Sequence, residues 1–559
     1  MSDNTYTDSL FESGFIDTDF NYKQSSYSKL IDKRASYAKI RSWRNDVALL
    51  RLAIFSKEIA LRDIEIKCSD LINAENVIEK DKVKISVIKE TSAFTGGKGY
   101  GEGLNDRREK VFDIVTEEST LSLEEKSFGL ILVEINVEDK VKFGTYSGFI
   151  EVSVEEGKWD IQKLDIQLFV DEKILIKDNS NFDIELWQYP YSSAEYFGYE
   201  PFSKDHLEVM KSGMKIYQDM GGNNITATIV EEAWGGQTYS VNKIAYPSMV
   251  KWIRENDTLR FDYTDLDKWI EFNMGMGMPN KIALYSISPW NSSIGIHENG
   301  EVIFRKFDLR DSGDSVIWID FLSRLAKHLE ERGWLDICYI AIDEQGFSEE
   351  AFDIIESIKT KNGNGFKISA AMDHFAEKMD LAMRVDDLTV GAITATKNEK
   401  EFSQLLALRD DKKLKTTIYS CTGHAPGQFM LSQPVESYWI LMDSWRRGAQ
   451  GFLRWAYDAW INNPLEDTSH KMFEPGDCFL VYPIVSKKRK RYIRSFRLVR
   501  IAEAIRDIHK AILLEGQIRN GLNQGRKMIT RSNEKSPYLN ICEISQVIED
   551  VEVFKESIK

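Results

Sequence analysis

Short apolar and alternating runs, separated by turn residues, characterise the first third of the chain. The five clearest runs span 46–58, 61–71, 82–91, 128–137 and 164–170. Such runs are typical of strands, and amphipathic helix patterns are few here. Many short strands in succession predict a β-sandwich, which we assign to residues 1–178. The Gly-rich segment 94–108 interrupts the strands and is predicted to be a loop.

From about residue 180, short apolar runs alternate with helix-length amphipathic segments. Eight strand candidates begin at Phe182, Asn224, Lys281, Ile337, Phe366, Leu388, Lys415 and Gly451. The helical segments span 203–220, 315–332, 349–361, 401–410, 435–447 and 494–514. This alternation predicts an α/β fold, a (β/α)8 TIM barrel over residues 179–515. A doubly wound sheet is the runner-up, but its first unit would lack a GxGxxG turn. Residues 516–559 would form a C-terminal extension that packs on the preceding domains.

The chemistry of such a barrel is expected at the carboxyl ends of its strands. Carboxylates and aromatic residues are common there, and the adjacent pair Asp343 and Glu344 directly follows the fourth strand. A barrel mouth with two carboxyl groups and several aromatic residues is typical of a glycosidase. The candidates for contact with a sugar are Trp234, Trp290, Tyr419, Arg454, Trp455, Tyr457 and Trp460. Aromatic rings at strand ends serve packing as often as stacking, so some of these could belong to the barrel core.

Composition and charge exclude several classes of function. The 89 acidic and 73 basic residues give a formal net charge of -16, which argues against a general binder of nucleic acids or anionic membranes. The five cysteines are scattered and lack a CxxC spacing, and no HExxH motif is present. We therefore expect no metal, no cofactor and no disulfide framework. The first residues do not resemble a signal peptide, and no apolar stretch is long enough for a membrane span, so the expected location is cytoplasmic.

The adjacency of Asp343 and Glu344 bears on mechanism. Most glycosidases place two carboxyl groups on opposite sides of the scissile bond, which neighbouring residues cannot easily do. An adjacent pair better fits substrate-assisted catalysis, in which the 2-acetamido oxygen of the sugar attacks the anomeric carbon. One carboxyl group would then hold the acetamido N–H, and the other would act as general acid and base.

Several sequence blocks resemble glycoside hydrolase family 123, the β-N-acetylgalactosaminidases. They include LWQYP from Leu186, YSISPW from Tyr285, and the segments SQPVESYWI, GFLRWAYDAWINNPLEDT and GDCFLVYP between residues 432 and 483. The resemblance implies that Asp343 orients the acetamido group and that Glu344 is the general acid/base. It also implies a retaining exo-enzyme that removes terminal β-GalNAc from glycans or glycosphingolipid headgroups. The chain departs from the family pattern at Asp458, where an Asn is expected, and at Ala504, where a Gly is expected.

Two other functions stay open at this stage. A β-hexosaminidase that prefers GlcNAc or a modified sugar would use the same carboxyl pair, because the sequence does not show which side chain meets the 4-hydroxyl group. A non-catalytic sugar-binding protein on a degenerate barrel is the second alternative. The oligomeric state is also open, with a homodimer among the possibilities.

Overall fold

The computed structural model describes ten parts of the chain, and every structural statement below concerns these residues. They are 9–95, 107–155, 159–177, 181–236, 245–256, 258–344, 347–470, 472–486, 489–514 and 538–559. Most of the Gly-rich segment predicted to be a loop, 96–106, lies outside the described residues.

Two sheets form the N-terminal part of the chain. The first has the strand order β1 (Phe11–Ile16), β3 (Asp46–Ser56), β10 (Phe128–Val137), β7 (Val83–Phe94) and β8 (Arg108–Val115). The second has the order β2 (Tyr37–Arg44), β12 (Trp159–Ile174), β11 (Gly144–Glu155), β4 (Leu61–Cys68) and β9 (Thr120–Leu123), with β5 (Leu71–Asn73) and β6 (Asn76–Ile78) attached to β11. Apolar side chains of both sheets form one buried cluster, so the expected sheet-rich domain is confirmed.

Eight parallel strands form the barrel in the part of the chain that the structure describes. They are β13 (Asp183–Leu186), β14 (Asn224–Thr228), β17 (Lys281–Tyr285), β20 (Cys338–Asp343), β21 (Lys367–Met372), β22 (Asp387–Gly391), β23 (Lys415–Tyr419) and β24 (Gly451–Arg454). Their order is β13-β24-β23-β22-β21-β20-β17-β14, which confirms all eight predicted strands and the barrel.

The seam between β13 and β14 is joined by side chains. Gln188 accepts a hydrogen bond from the Thr226 amide at 3.0 Å and donates one to the Asn224 carbonyl at 3.3 Å. The Asn224 amide group donates to Asp183 Oδ2 at 2.7 Å. These contacts satisfy backbone groups that a ladder would otherwise pair.

The helices of the described ranges are α1 (Tyr27–Ile31), α2 (Pro190–Phe197), α3 (Lys204–Asp219), α4 (Thr264–Gly275), α5 (Ser312–Glu331), α6 (Glu349–Ser357), α7 (Met379–Ala382), α8 (Ala392–Lys397), α9 (Glu399–Asp411), α10 (Pro434–Arg446), α11 (Phe496–Leu513) and α12 (Ile541–Ser557). Six of these helices, α3, α5, α6, α9, α10 and α11, occupy the predicted segments, and the sequence did not predict the other six in the described ranges. Side-chain caps start several of them; Ser203 accepts from the His206 amide, and Asp311 accepts from the Gly313 and Asp314 amides. No helix in the described ranges is long and apolar enough to cross a membrane.

Two small sheets are formed by segments between and after the barrel strands, and the sequence did not predict them. The first has the order β16 (Thr258–Asp262), β15 (Lys251–Glu255), β18 (Ser293–Glu298) and β19 (Glu301–Lys306). The second is the hairpin of β25 (Val481–Ser486) and β26 (Arg489–Arg494). The basic residues 489–491 lie in β26, because Tyr492 and Ile493 beyond them are buried and anchor the strand.

The C-terminal helix α12 packs on α10. The Phe554 ring lies 5.8 Å from that of Trp445, and the Trp439 indole donates to Asp550 at 3.3 Å. The domain boundaries assigned at residues 178 and 515 fall on residues that the structure does not describe, so they stay a prediction.

Candidate active site

Asp343 and Glu344 lie where β20 ends at the barrel mouth. Ile340, Ala341 and Ile342 before them are fully buried, whereas both carboxyl residues are only half-buried. Side chains alternate along a strand, so neighbours should point to opposite faces. Glu344 has a φ of +24°, which ends the strand geometry and lets both carboxyl groups meet partners around the mouth.

Asp343 is held by the loop that follows β17. Its Oδ2 accepts a hydrogen bond of 2.9 Å from the indole nitrogen of Trp290. Burial and the charge of Glu344 raise the pKa of Asp343 to about 8, and the Trp290 hydrogen bond opposes this rise. The carboxyl group is therefore mostly protonated at pH 7 in the free protein.

Glu344 is held from β23 instead. The Tyr419 hydroxyl group donates to Glu344 Oε1 at 2.5 Å, and the Cys421 thiol donates to the same oxygen at 3.6 Å. Burial raises the pKa of Glu344, the Tyr419 hydrogen bond lowers it, and the charge of Asp373 raises it again. Burial also raises the pKa values of Tyr419 and Cys421 well above their ordinary ranges, so both remain hydrogen-bond donors.

Aromatic rings form one wall beside the carboxyl pair. The Trp234 ring centroid lies 5.2 Å from that of Tyr189 and 5.3 Å from that of Tyr285. The Trp187 ring lies 4.6 Å from Tyr285, and the half-buried Trp455 ring lies 6.1 Å from Tyr189. Trp187, Tyr189, Trp234 and Tyr285 are at most 3% exposed and pack on one another, so the half-buried Trp455 is the ring of this wall that is open to a sugar. A carboxyl pair beside an aromatic wall at a barrel mouth is typical of the active site of a glycosidase.

Comparison with known protein families agrees with this geometry. The family model "Glycoside hydrolase 123, catalytic domain" matches residues 187–514, and "Glycoside hydrolase 123 N-terminal domain" matches residues 15–154. The chain belongs to glycoside hydrolase family 123. The resemblance seen in the sequence is thus confirmed, and the family makes the protein a glycosidase rather than a degenerate sugar-binding barrel.

One solved family 123 structure covers almost the whole chain. It is the family 123 glycoside hydrolase from Clostridium perfringens, described for glycolipid glycan hydrolysis; it is 29% identical, with a TM-score of 0.90, over 98% of this chain and 97% of that one. A GH5 xyloglucanase of Bacteroides ovatus gives a TM-score of 0.30 at 8% identity over 84% of this chain and 98% of its own. The xylanase 10B of Clostridium thermocellum gives 0.31 at 9% identity over 82% and 93%. No curated protein matches the chain.

Two of the predicted sugar contacts bond to the carboxyl pair of this family 123 glycosidase, and two more belong to the aromatic wall. Trp290 and Tyr419 donate directly to the two carboxyl groups. Trp234 and Trp455 belong to the aromatic wall. The indole nitrogen of Trp234 is buried without a hydrogen-bond partner among the described residues.

The structure places the other three predicted sugar contacts elsewhere. Arg454 is 1% exposed and donates to the Asp477 carbonyl at 2.8 Å. The Tyr457 hydroxyl group donates to the Gly213 carbonyl of α3, and the Trp460 indole donates to the Val481 carbonyl of β25. Both rings are fully buried, so these three residues are corrected to core positions.

The pairing of β24 explains the correction. Leu453 pairs with Tyr419, so those two side chains share the face that looks toward Glu344, and Arg454 points to the other face. The strand ends at Arg454, so strand alternation does not set the direction of Tyr457 or Trp460. Sequence periodicity alone could not locate that end.

Three neighbours of the carboxyl pair were not among the predicted site residues. Tyr189 and Tyr285 lie at or just beyond the ends of β13 and β17, so strand-end position could have identified both. Cys421 lies two residues after β23, but a lone cysteine gives no signal before its thiol is seen beside Glu344. Among the described residues, no group of three or more His, Cys, Asp or Glu side chains could hold a metal ion.

The side chain of Asp458 is buried and forms hydrogen bonds that support the aromatic wall. Its carboxyl group is fully buried and accepts hydrogen bonds from the Tyr189 amide at 2.7 Å and the Tyr492 hydroxyl group at 2.9 Å. Burial raises the pKa of Asp458 to about 6, and the two hydrogen bonds oppose this rise. The residue that departs from the family pattern thus anchors Tyr189 of the aromatic wall.

Proposed function

We propose that this family 123 glycosidase is a retaining exo-β-N-acetylgalactosaminidase that uses the acetamido group of its substrate as nucleophile. The observation that carries the proposal is the adjacency of Asp343 and Glu344, each held by its own neutral donor. Two neighbouring carboxyl groups serve one side of the sugar, so the nucleophile must come from elsewhere. The glycolipid glycan hydrolysis described for the Clostridium perfringens relative supports a glycolipid glycan as substrate, and the choice of terminal GalNAc rests on the family resemblance of the sequence.

In this mechanism Asp343 and Glu344 share one proton between their carboxyl groups. Adjacent carboxyl groups repel as anions, so the pair titrates in two coupled steps. When the acetamido N–H donates to Asp343, it favours the ionised form of that group, as Trp290 already does. The proton then belongs on Glu344, where it can pass to the leaving glycosidic oxygen.

The remaining steps need no further group from the protein. The acetamido oxygen attacks the anomeric carbon, the bond to the leaving oxygen breaks, and ionised Asp343 stabilises the positive charge of the oxazoline intermediate. Glu344, now ionised, takes a proton from water, which opens the intermediate with net retention. Tyr419 keeps Glu344 Oε1 occupied as an acceptor, which leaves Oε2 to carry and deliver the proton.

The test is release of p-nitrophenol from the β-GalNAc glycoside by the wild type and by Glu344→Gln and Asp343→Asn. We expect a loss of about 10³-fold or more in kcat in both variants, since each removes a group that acts in the transition state. Glu377→Gln and Asp380→Asn are matched controls, because these carboxyl groups are exposed. Full activity of either pair variant would refute the proposed mechanism.

Two further measurements separate the alternatives. Comparing kcat/KM for the β-GalNAc and β-GlcNAc p-nitrophenyl glycosides decides between a galactosaminidase and a GlcNAc-preferring hexosaminidase. A GalNAc-derived thiazoline mimics the oxazoline and should bind far more tightly than GalNAc. Inhibition no stronger than that by GalNAc would argue against acetamido participation. The cytoplasmic location stays a proposal, to be checked by fractionating cells that express the native gene.

A further inference from the structure

The edge strand β19 is unusually open to solvent. All six of its residues are exposed, and three consecutive ones are apolar: Val302 is 39% exposed, Ile303 50% and Phe304 45%. β19 ends its four-stranded sheet, so one side of its backbone is unpaired in the described structure. Natural edge strands usually carry charges, Pro or a bulge against pairing with other chains, and this strand has none at its centre.

The hairpin fixes which backbone groups face solvent. β18 and β19 are joined by the two residues Asn299 and Gly300, both with positive φ, and Glu298 pairs with Glu301. In such a hairpin the pair next to the turn is hydrogen-bonded, and the pattern then alternates. Val302 and Phe304 therefore direct their N–H and C=O groups away from β18, toward the free edge.

We propose that β19 pairs antiparallel with β19 of a second copy of this chain, about a two-fold axis at Ile303. In this register Val302 and Phe304 exchange hydrogen bonds with Phe304 and Val302 of the second copy. Ile303 faces its own counterpart, and Glu301 lies opposite Arg305 at both ends. A symmetric interface requires such self-complementarity, and this sequence supplies it in apolar contact and in charge.

The competing register is less favourable. A two-fold axis at Phe304 would place Ile303 opposite Arg305 and Val302 opposite Lys306, without a pair of opposite charges. In the proposed register, Arg305 gains Glu301 of the second copy as a second ionic partner. It uses Nη2 for Asp314, at 2.6 Å, and its side chain is still 47% exposed. The base of the hairpin is bonded to the segment after Trp290, since the Phe307 amide donates to the Ser292 carbonyl.

Charge variants test the pairing. Sedimentation velocity from about 1 to 100 μM should show a monomer–dimer equilibrium for the wild type. Glu301→Arg places Arg opposite Arg and should weaken the dimer at least tenfold, whereas Glu301→Arg with Arg305→Glu should restore most of it. Ile303→Lys should abolish it. Val316→Lys, at a more exposed apolar position on α5, should change nothing. Each variant must retain wild-type glycosidase activity, which shows that it folds and separates this inference from the proposed function.

A disulfide scan tests the register. Residues directly opposite in a non-hydrogen-bonded pair have Cα atoms about 4.5 Å apart, within the reach of a disulfide. Ile303→Cys, made with Cys542→Ser to remove the exposed thiol, should cross-link two chains under mild oxidation. Val302→Cys should not, since its own counterpart lies diagonally, about 7–8 Å away.

Three results would overturn the inference. They are a wild type that stays monomeric at 100 μM, a Glu301→Arg variant that dimerises as well as the wild type, and cross-linking through residue 302 but not 303. Monomeric wild type that sediments with phosphatidylcholine vesicles, and loses this with Ile303→Lys, would assign the strand to a lipid surface instead.

Discussion

The two ends of the barrel lumen hold carboxyl groups in opposite electrostatic settings. At the amino-terminal end, the Lys281 ammonium group lies 2.6 Å from Glu185 and 2.8 Å from Asp387, and Lys415 contacts Asp183 and Asp387. At the mouth, no Lys or Arg within the described ranges forms an ion pair with Asp343 or Glu344. Their partners are the neutral donors Trp290, Tyr419 and Cys421.

The pKa values follow this difference. Burial alone would raise the pKa of Asp387, but the charges of Lys281 and Lys415 hold it well below its usual range. At the mouth, burial and mutual repulsion dominate, and the pKa of Asp343 rises to about 8. Asp387, between two lysines, therefore stays ionised and joins strands, whereas Asp343 has no cationic partner among the described residues and can exchange a proton near neutral pH. Glu185 shares Lys281 with Asp387, but its burial still raises its pKa.

The largest expected effect comes from removing a lysine from the ion pairs at the amino-terminal end of the lumen, the lower end of the barrel. Lys281→Met leaves Glu185 and Asp387 buried without their shared cation, so we expect a loss of about 3–5 kcal/mol in the free energy of unfolding. Urea titration followed by tryptophan fluorescence measures it. The matched control is Lys215→Met, because the Lys215–Asp219 pair is 2.6 Å apart but about 60% exposed on both sides. That variant should change stability by less than about 1 kcal/mol, and equal losses would contradict the comparison.

The sequence predicted the lower half of the barrel better than the mouth. Buried parallel strands read as short apolar runs, so the eight strands could be located without knowing their neighbours. Asp343 and Glu344 followed from their position after the fourth strand. Arg454, Tyr457 and Trp460 could not be placed, because the face of each depends on where β24 ends and on its pairing with β23. Those are tertiary facts that no local pattern contains.

The second prediction is a gain in stability, in contrast to the loss expected for Lys281→Met. A pKa of about 8 for Asp343 means that the folded protein holds a proton at pH 7 that the unfolded chain releases. Stability is therefore lost as the pH rises from the unfolded value near 4 toward about 8. The penalty grows by at most about 1.4 kcal/mol per pH unit between these two values. Asp343→Asn removes it and should stabilise the protein by at least about 1 kcal/mol at pH 7 and by nothing near pH 4.

Thermal unfolding at the two pH values measures the gain. The exposed Asp380→Asn variant is the control and should show no pH-dependent gain. Destabilisation by Asp343→Asn at pH 7 would mean that the carboxyl group at the mouth behaves like those at the lower end.

A third prediction concerns the donor on Glu344. The Tyr419 hydrogen bond lowers the pKa of Glu344, so Tyr419→Phe should raise it. The general acid then keeps its proton to higher pH, and the alkaline limb of kcat/KM should move up by about one unit while kcat falls by about tenfold. Tyr457→Phe is the matched control, because its hydroxyl group donates to Gly213 and not to the carboxyl pair. It should cost about 1 kcal/mol in stability and leave the limb in place.

The smallest effect tests the second donor. The Cys421 thiol lies 3.6 Å from the same oxygen, and a thiol is a weaker donor than a phenol. Cys421→Ala should move the alkaline limb in the same direction as Tyr419→Phe but by less, about half a unit or below. Cys421→Ser keeps a donor and should stay closer to the wild type, while Cys542→Ser, at an exposed position, should have no effect. A larger shift for Cys421→Ala than for Tyr419→Phe would reverse the assigned order of the two donors and make the thiol the group that sets the pKa of Glu344.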